Sequence, residues 1–172
     1  MANSSDFSMI YYAGHAIQVG SINHLIPIDA QLKSDQDIDF QTIDAQKFLS
    51  ALSGSKKLRV LVLDACRNNP FESQMKRTMA SRSLGRCLGR METDSGELIA
   101  FAAKAGEVAD DGDGKNSPFA QAFAKRIEQS PPLEIRRLFD LVRDDVLRST
   151  GRKQQPFTYG SLSGEEDYFF SR

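Results

Sequence analysis

Leu58-Arg59-Val60-Leu61-Val62-Leu63, running into Asp64-Ala65-Cys66-Arg67-Asn68, decides how this chain folds. A nearly continuous Val/Leu run marks a strand buried on both faces, which implies a parallel sheet covered by helices. The loop-forming Asn68-Asn69-Pro70 then ends the strand and leaves a cysteine just past its carboxyl end. Loops at the carboxyl ends of such strands are where α/β proteins keep their sites.

Upstream, Phe7 to Tyr12 reads as a second apolar and aromatic strand, followed by Ala13-Gly14-His15. His15 precedes Cys66 by 51 residues. A histidine and a cysteine brought to one edge of a parallel sheet can form a thiol–imidazole pair, the nucleophile-and-base arrangement of covalent catalysis. Gly14 lets the backbone come close to a ligand. A free cysteine often serves only as a small buried hydrophobe. Here Asp64, Arg67 and the turn residues give Cys66 a polar, exposed setting instead.

The intervening sequence supplies a crossover. Ile22 to Ile28 is a weaker strand, and between Thr42 and Ser53 the residues Ala45, Phe48, Leu49 and Leu52 keep helical spacing until Gly54 stops them. Strand, helix, strand predicts a right-handed parallel βαβ unit. Residues 72–96 are rich in Ser, Met, Gly and Arg and read as a mobile internal linker. Glu97 to Ala103 resumes as a strand and Gly106 to Asn116 is an acidic loop. Ser117-Pro118 offers an N-cap and a first-turn proline for a helix with Phe119, Phe123 and Ile127 on one face. Ser130-Pro131 repeats the signal for a second helix, with Ile135, Leu138, Phe139, Val142 and Val146 on its apolar stripe. Gly151 ends it, and Phe157 to Ser161 and Tyr168 to Phe170 read as terminal strands. At 172 residues this is one domain, 1–172.

Several function classes drop out. A net charge of −1 gives no global attraction for nucleic acid or anionic membrane. The longest apolar run, Leu98 to Ala103, is far too short to span a bilayer, and no secretory signal opens the chain. Two distant cysteines do not make a disulfide scaffold, so a reducing, cytoplasmic setting is expected. His24 sits in the weaker strand without a partner motif and reads as a surface residue; Cys87 lies in the linker. No C-x-x-C or H-x-x-x-H spacing suggests zinc, so no metal is expected. Asp111-Gly112-Asp113-Gly114-Lys115-Asn116 opens like a calcium loop, but Lys115 and Ala122 occupy positions that need ligands. No cofactor is therefore expected, and calcium activation has no support in the sequence. Glycine-rich nucleotide motifs are absent.

Together, Tyr11-Tyr12-Ala13-Gly14-His15, Leu25-Ile26-Pro27-Ile28-Asp29-Ala30 and Leu63-Asp64-Ala65-Cys66-Arg67 resemble the caspase-like cysteine peptidases, most closely the paracaspase and bacterial metacaspase-like branch. Caspases carry Q-A-C-[RQG]-G with a histidine about 50 residues upstream. Phe101-Ala102-Ala103-Lys104-Ala105-Gly106-Glu107 and Ser117-Pro118-Phe119 look like the family's next loop and helix. The resemblance implies a doubly wound α/β sandwich, with a mostly parallel central sheet and helices on both faces, and a cysteine endopeptidase working through an acyl-enzyme. Cys66 would attack, His15 would manage the proton, and the backbone N–H groups of Ala16 and Cys66 would form the oxyanion hole.

The resemblance also places the residue two before the cysteine in the P1 pocket. Here it is Asp64, with Glu107 as a second wall, so the substrate expected is a peptide or protein with Arg, and less well Lys, at P1. Arg77, Arg82, Arg86 and Arg90 become candidate self-cleavage sites. The family has glycine where this chain has Ala16. If the backbone there needed a positive φ, the methyl group would strain the oxyanion hole. The family's usual N-terminal strands and helix are missing, so the N-terminal part of the same precursor, or a second copy, is an expected partner. The alternative function is a catalytically weak caspase-like scaffold that binds peptides without cutting them.

Overall fold

The computed structural model describes residues 5–65, 84–85, 88–104, 115–128 and 131–170. Cys66, Arg77, Arg82, Arg86, Cys87 and Glu107 lie outside the described residues. In chain order the elements are β1 (Phe7–Val19), β2 (Ile22–Ile26), α1 (Ile38–Gln41), β3 (Ile43–Asp44), α2 (Gln46–Ala51), β4 (Leu58–Ala65), β5 (Leu84–Gly85), β6 (Glu97–Phe101), α3 (Pro118–Ile127), α4 (Ile135–Ser149) and β7 (Phe157–Ser161).

The strands form one sheet in the order β3-β2-β1-β4-β6-β7, with β5 attached to β1. Its centre is parallel. β1 runs beside β4 from Phe7↔Leu58 to Gly14↔Ala65, and β4 beside β6 from Arg59↔Glu97 to Leu63↔Phe101. β2, β3 and β7 pair antiparallel at the flanks. Every residue of β4 except Arg59 is buried, as its unbroken apolar run requires of a central strand. The expected α/β class, with a mostly parallel centre and helices packed on the sheet, is the one the chain forms.

An aromatic stack joins sheet to helices. The Tyr11 ring lies 5.7 Å from that of Phe123, which stands 6.1 Å from Phe119 and 5.5 Å from Phe139. Burial of each such ring contributes about 1.5–3 kcal/mol. Arg126 holds α3 on α4 by forking onto both Asp145 oxygens at 2.8 Å. Those hydrogen bonds keep the Asp145 carboxyl below its ordinary range.

Several expectations need correction. The first strand does not stop at Tyr12 but continues through His15 to Val19. Its second half leaves β4 and pairs with β2, from His15↔Ile26 to Val19↔Ile22. Gly20-Ser21 closes that hairpin, with Gly20 at φ 61°, a conformation that glycine adopts without a steric penalty. The helix expected from Thr42 to Ser53 is shorter, because Ile43-Asp44 pairs with β2 and only Gln46–Ala51 is helical. The second long helix starts after Glu134 rather than at Ser130. The Glu134 carboxylate accepts the N–H groups of Arg136 and Arg137 at 2.9 and 3.2 Å and so caps it. Around Tyr168–Phe170 only an isolated bridge forms, Glu134↔Phe169.

The linker expected over 72–96 is also too long. Leu88 and Met91 are buried, and the Asn23 side chain clasps Gly89 from both sides. Its Nδ2 donates to Gly89 O and its Oδ1 accepts from Gly89 N, each at 2.8 Å. The stretch 88–91 is thus fixed to the hairpin. His24 is not a surface histidine. It is only 8% exposed, and its Nδ1 lies 2.8 Å from Thr42 Oγ1.

Candidate active site

The register of the two central strands sets the geometry. Gly14 and Ala65 are paired neighbours on parallel strands, so His15 and Cys66 are each the next residue in their chains beyond the same rung. Adjacent strands lie about 4.8 Å apart. His15 is not in a loop past a strand end, as the sequence suggested, but inside β1 where it swings from β4 to β2. Pairing with Ile26 in the hairpin fixes the place of its backbone in the sheet. Its Nδ1 is buried and has no hydrogen-bond partner among the described residues.

Tyr12 buttresses this point. Its hydroxyl lies 2.8 Å from the carbonyl oxygen of His15 and 2.9 Å from that of Ile26, and donates its single proton to either. The ring crosses over Gly14, where a Cβ would stand 2.8 Å from the Tyr12 hydroxyl. Gly14 therefore makes room for Tyr12 rather than for a ligand.

Asp64, the next-to-last residue of β4, is only 4% exposed. One of its oxygens, Oδ2, accepts from the Tyr11 hydroxyl at 2.8 Å and from Ser117 Oγ at 2.5 Å. The Ser117 oxygen meanwhile accepts the Ala120 N–H at 2.9 Å, completing the expected N-cap of α3. The carboxylate thus ties β1, β4 and α3 together. Burial, and then the neighbouring Asp64 charge, push the Tyr11 phenol above its ordinary range, so it keeps its proton at neutral pH. Sequence reading missed Tyr11 and found Ser117 only as a cap. The signal for Tyr11 was available, since in register it stands opposite Val62, two residues before Asp64 on the same face of the sheet.

Ala16 is buried in β1 opposite Leu25. The one non-glycine residue with positive φ among those described is Arg152, so the backbone strain considered at Ala16 is absent. A glycine there would have no strain to relieve. Of the four arginines considered for self-cleavage, Arg90 alone is described. It lies 5.1 Å over the Tyr159 ring, between the buried Leu88 and Met91, and such anchored backbone does not enter a protease cleft readily. Among the described residues, no group of three or more His, Cys, Asp or Glu could hold a metal ion, and no helix is long and apolar enough to cross a membrane.

This architecture has a solved relative. The chain is similar to caspase-1 from Spodoptera frugiperda, at 17% identity and a TM-score of 0.52, with the match covering 94% of this chain and 62% of that one. At that identity the likeness speaks for the fold, and the chain spans less than two thirds of the insect protein's length. No curated protein matches it. The family described as the caspase domain matches residues 1–165, nearly the whole sequence. With its parallel core, in which Gly14 of β1 pairs with Ala65 of β4, and that match over nearly its whole length, the chain belongs to the caspase domain family.

Proposed function

We propose that this chain is the working part of a cysteine endopeptidase that cuts after basic residues. The observation that carries the reading is the Gly14↔Ala65 rung, which sets His15 beside the end of the strand leading to Cys66. In this reading His15 takes the thiol proton through its buried Nδ1, which has no partner among the described residues. The Cys66 thiolate attacks the scissile carbonyl, and the Ala16 and Cys66 N–H groups hold the oxyanion. Collapse of that intermediate expels the amine, which takes the proton back from His15. Water then releases the acyl group from sulfur. Asp64, a buried carboxylate two residues before the nucleophile, draws the P1 cation, with Glu107 as the second wall.

Fluorogenic peptides with Arg, Lys or Asp at P1 test this. Those ending in Arg and Lys should be cut and those ending in Asp should not, and a preference for Asp would overturn the pocket assignment. A chloromethylketone with P1 arginine should add one mass equivalent at Cys66. A catalytically weak scaffold would stay unlabelled.

The reading extends to a partner. Along Phe7–Gly14, β1 pairs with β4, and among the described strands nothing pairs with its other edge; Phe7 is 36% exposed. An apolar open edge invites another strand. The N-terminal part of the same precursor, or a second copy, would cover it. Analytical ultracentrifugation of the chain alone should then show self-association at micromolar concentration, relieved by the covering segment. A stable, fully active monomer that unfolds cooperatively would rule this out.

A further inference from the structure

Both hydroxyl protons that reach Asp64 go to the same oxygen. Tyr11 has one O–H and spends it on Asp64 Oδ2. Ser117 has one O–H, and because its oxygen already accepts the Ala120 N–H, its proton too is directed at Oδ2. A carboxylate oxygen has two lone-pair sites, so Oδ2 is saturated. Oδ1 receives no donor from the described residues. The two bonds come from different elements, one from β1 and one from the N-cap of α3, and together they hold the carboxylate in one orientation.

From this we infer that Tyr11 and Ser117 are positioning residues that limit Asp64 to a one-pronged grip on the substrate cation. The inference rests on the basic-P1 reading above and sharpens it. A guanidinium gains over an ammonium mainly when its fork meets both oxygens of a carboxylate. With Oδ2 filled, Asp64 offers arginine and lysine the same single acceptor. The preference for Arg over Lys expected from residue types alone is therefore small in the wild-type pocket. Removing one hydroxyl frees a lone pair and lets the carboxylate turn, so a fork can then engage both oxygens while an ammonium gains nothing.

The test is the ratio of kcat/KM for two peptides identical except for Arg or Lys at P1, measured on the full chain. In wild type the ratio should stay within about ten-fold. In Tyr11→Phe it should rise roughly three- to ten-fold above wild type, chiefly through a gain on the Arg peptide. Ser117→Ala should shift it in the same direction, which covers the case in which the tyrosine variant does not fold. Ser117→Thr, which keeps the hydroxyl, should restore the wild-type ratio. Alkylation of Cys66 by iodoacetamide should proceed at the wild-type rate in all of them. A merely structural role would lower both substrates in proportion, and an unchanged ratio in Tyr11→Phe and Ser117→Ala overturns the inference alone. Failure of the wild type to cut either basic peptide overturns it together with the reading on which it rests.

Discussion

Replacing Cys66 with Ala is expected to abolish turnover of an arginine-P1 peptide, whereas Cys87→Ala leaves it nearly unchanged. Removal of a catalytic nucleophile typically costs on the order of a million-fold in kcat, because oxyanion stabilisation and binding survive but the covalent step does not. The expectation is anchored in register. His15 occupies the position one past Gly14, and Ala65, the last residue of β4, is the partner of Gly14. Cys87 comes two residues after β5 in the sequence, lies outside the described residues, and carries none of the strand-end motif that surrounds Cys66. The same variant separates self-processing from contamination. Wild-type protein incubated alone should accumulate fragments ending at Arg77, Arg82 or Arg86, with Arg90 spared because its flanks are packed. Those fragments should be absent in Cys66→Ala, and their persistence would point to a foreign protease. Cys66→Ala protein that keeps even a hundredth of wild-type activity would end the assignment of Cys66 as nucleophile.

What the sequence made legible was whatever depends on local pattern. The Val/Leu run at Leu58–Leu63 could only be a central strand, and it is buried almost throughout. Ser117-Pro118 announced α3 because capping is a matter of a few adjacent residues. The histidine strand was harder. Gly14 looks like punctuation, so the strand seemed to end before His15, yet the turn comes five residues later at Gly20-Ser21. Gly14 instead accommodates a side chain from its own strand, a reason that periodicity cannot disclose. His24 and Gly89 were misread for a related cause, since their environments come from the hairpin packing against segments far along the chain. The Tyr11–Asp64–Ser117 cluster draws on three elements whose members are 53 residues apart in either direction. Contacts at that separation follow from the order of strands and leave no mark on any one stretch of sequence.

That cluster makes Asp64 the position where stability and specificity can be pulled apart. In Asp64→Ala the Tyr11 and Ser117 hydroxyls both lose their acceptor. Ser117 is buried and Tyr11 half-buried, so the combined cost should be about 2–4 kcal/mol. That is a large part of the 5–15 kcal/mol that usually separates folded from unfolded domains. Asp64→Asn is different. The amide oxygen can still take both hydroxyl protons, so the thermal midpoint should fall by only a few degrees. The amide nitrogen, however, now stands where Oδ1 stood, and presents N–H donors to an incoming cation. Loss of a charge partner in a buried pair costs about 3 kcal/mol, on the order of a hundred-fold in kcat/KM for the Arg peptide. The expected pattern is therefore a nearly stable, poorly selective Asn variant beside an Ala variant that has lost both properties. Thermal melts and P1 profiling of the two proteins measure it directly. An Asn variant that cuts the Arg peptide as well as wild type would reduce Asp64 to a structural anchor for α3 and remove it from the pocket.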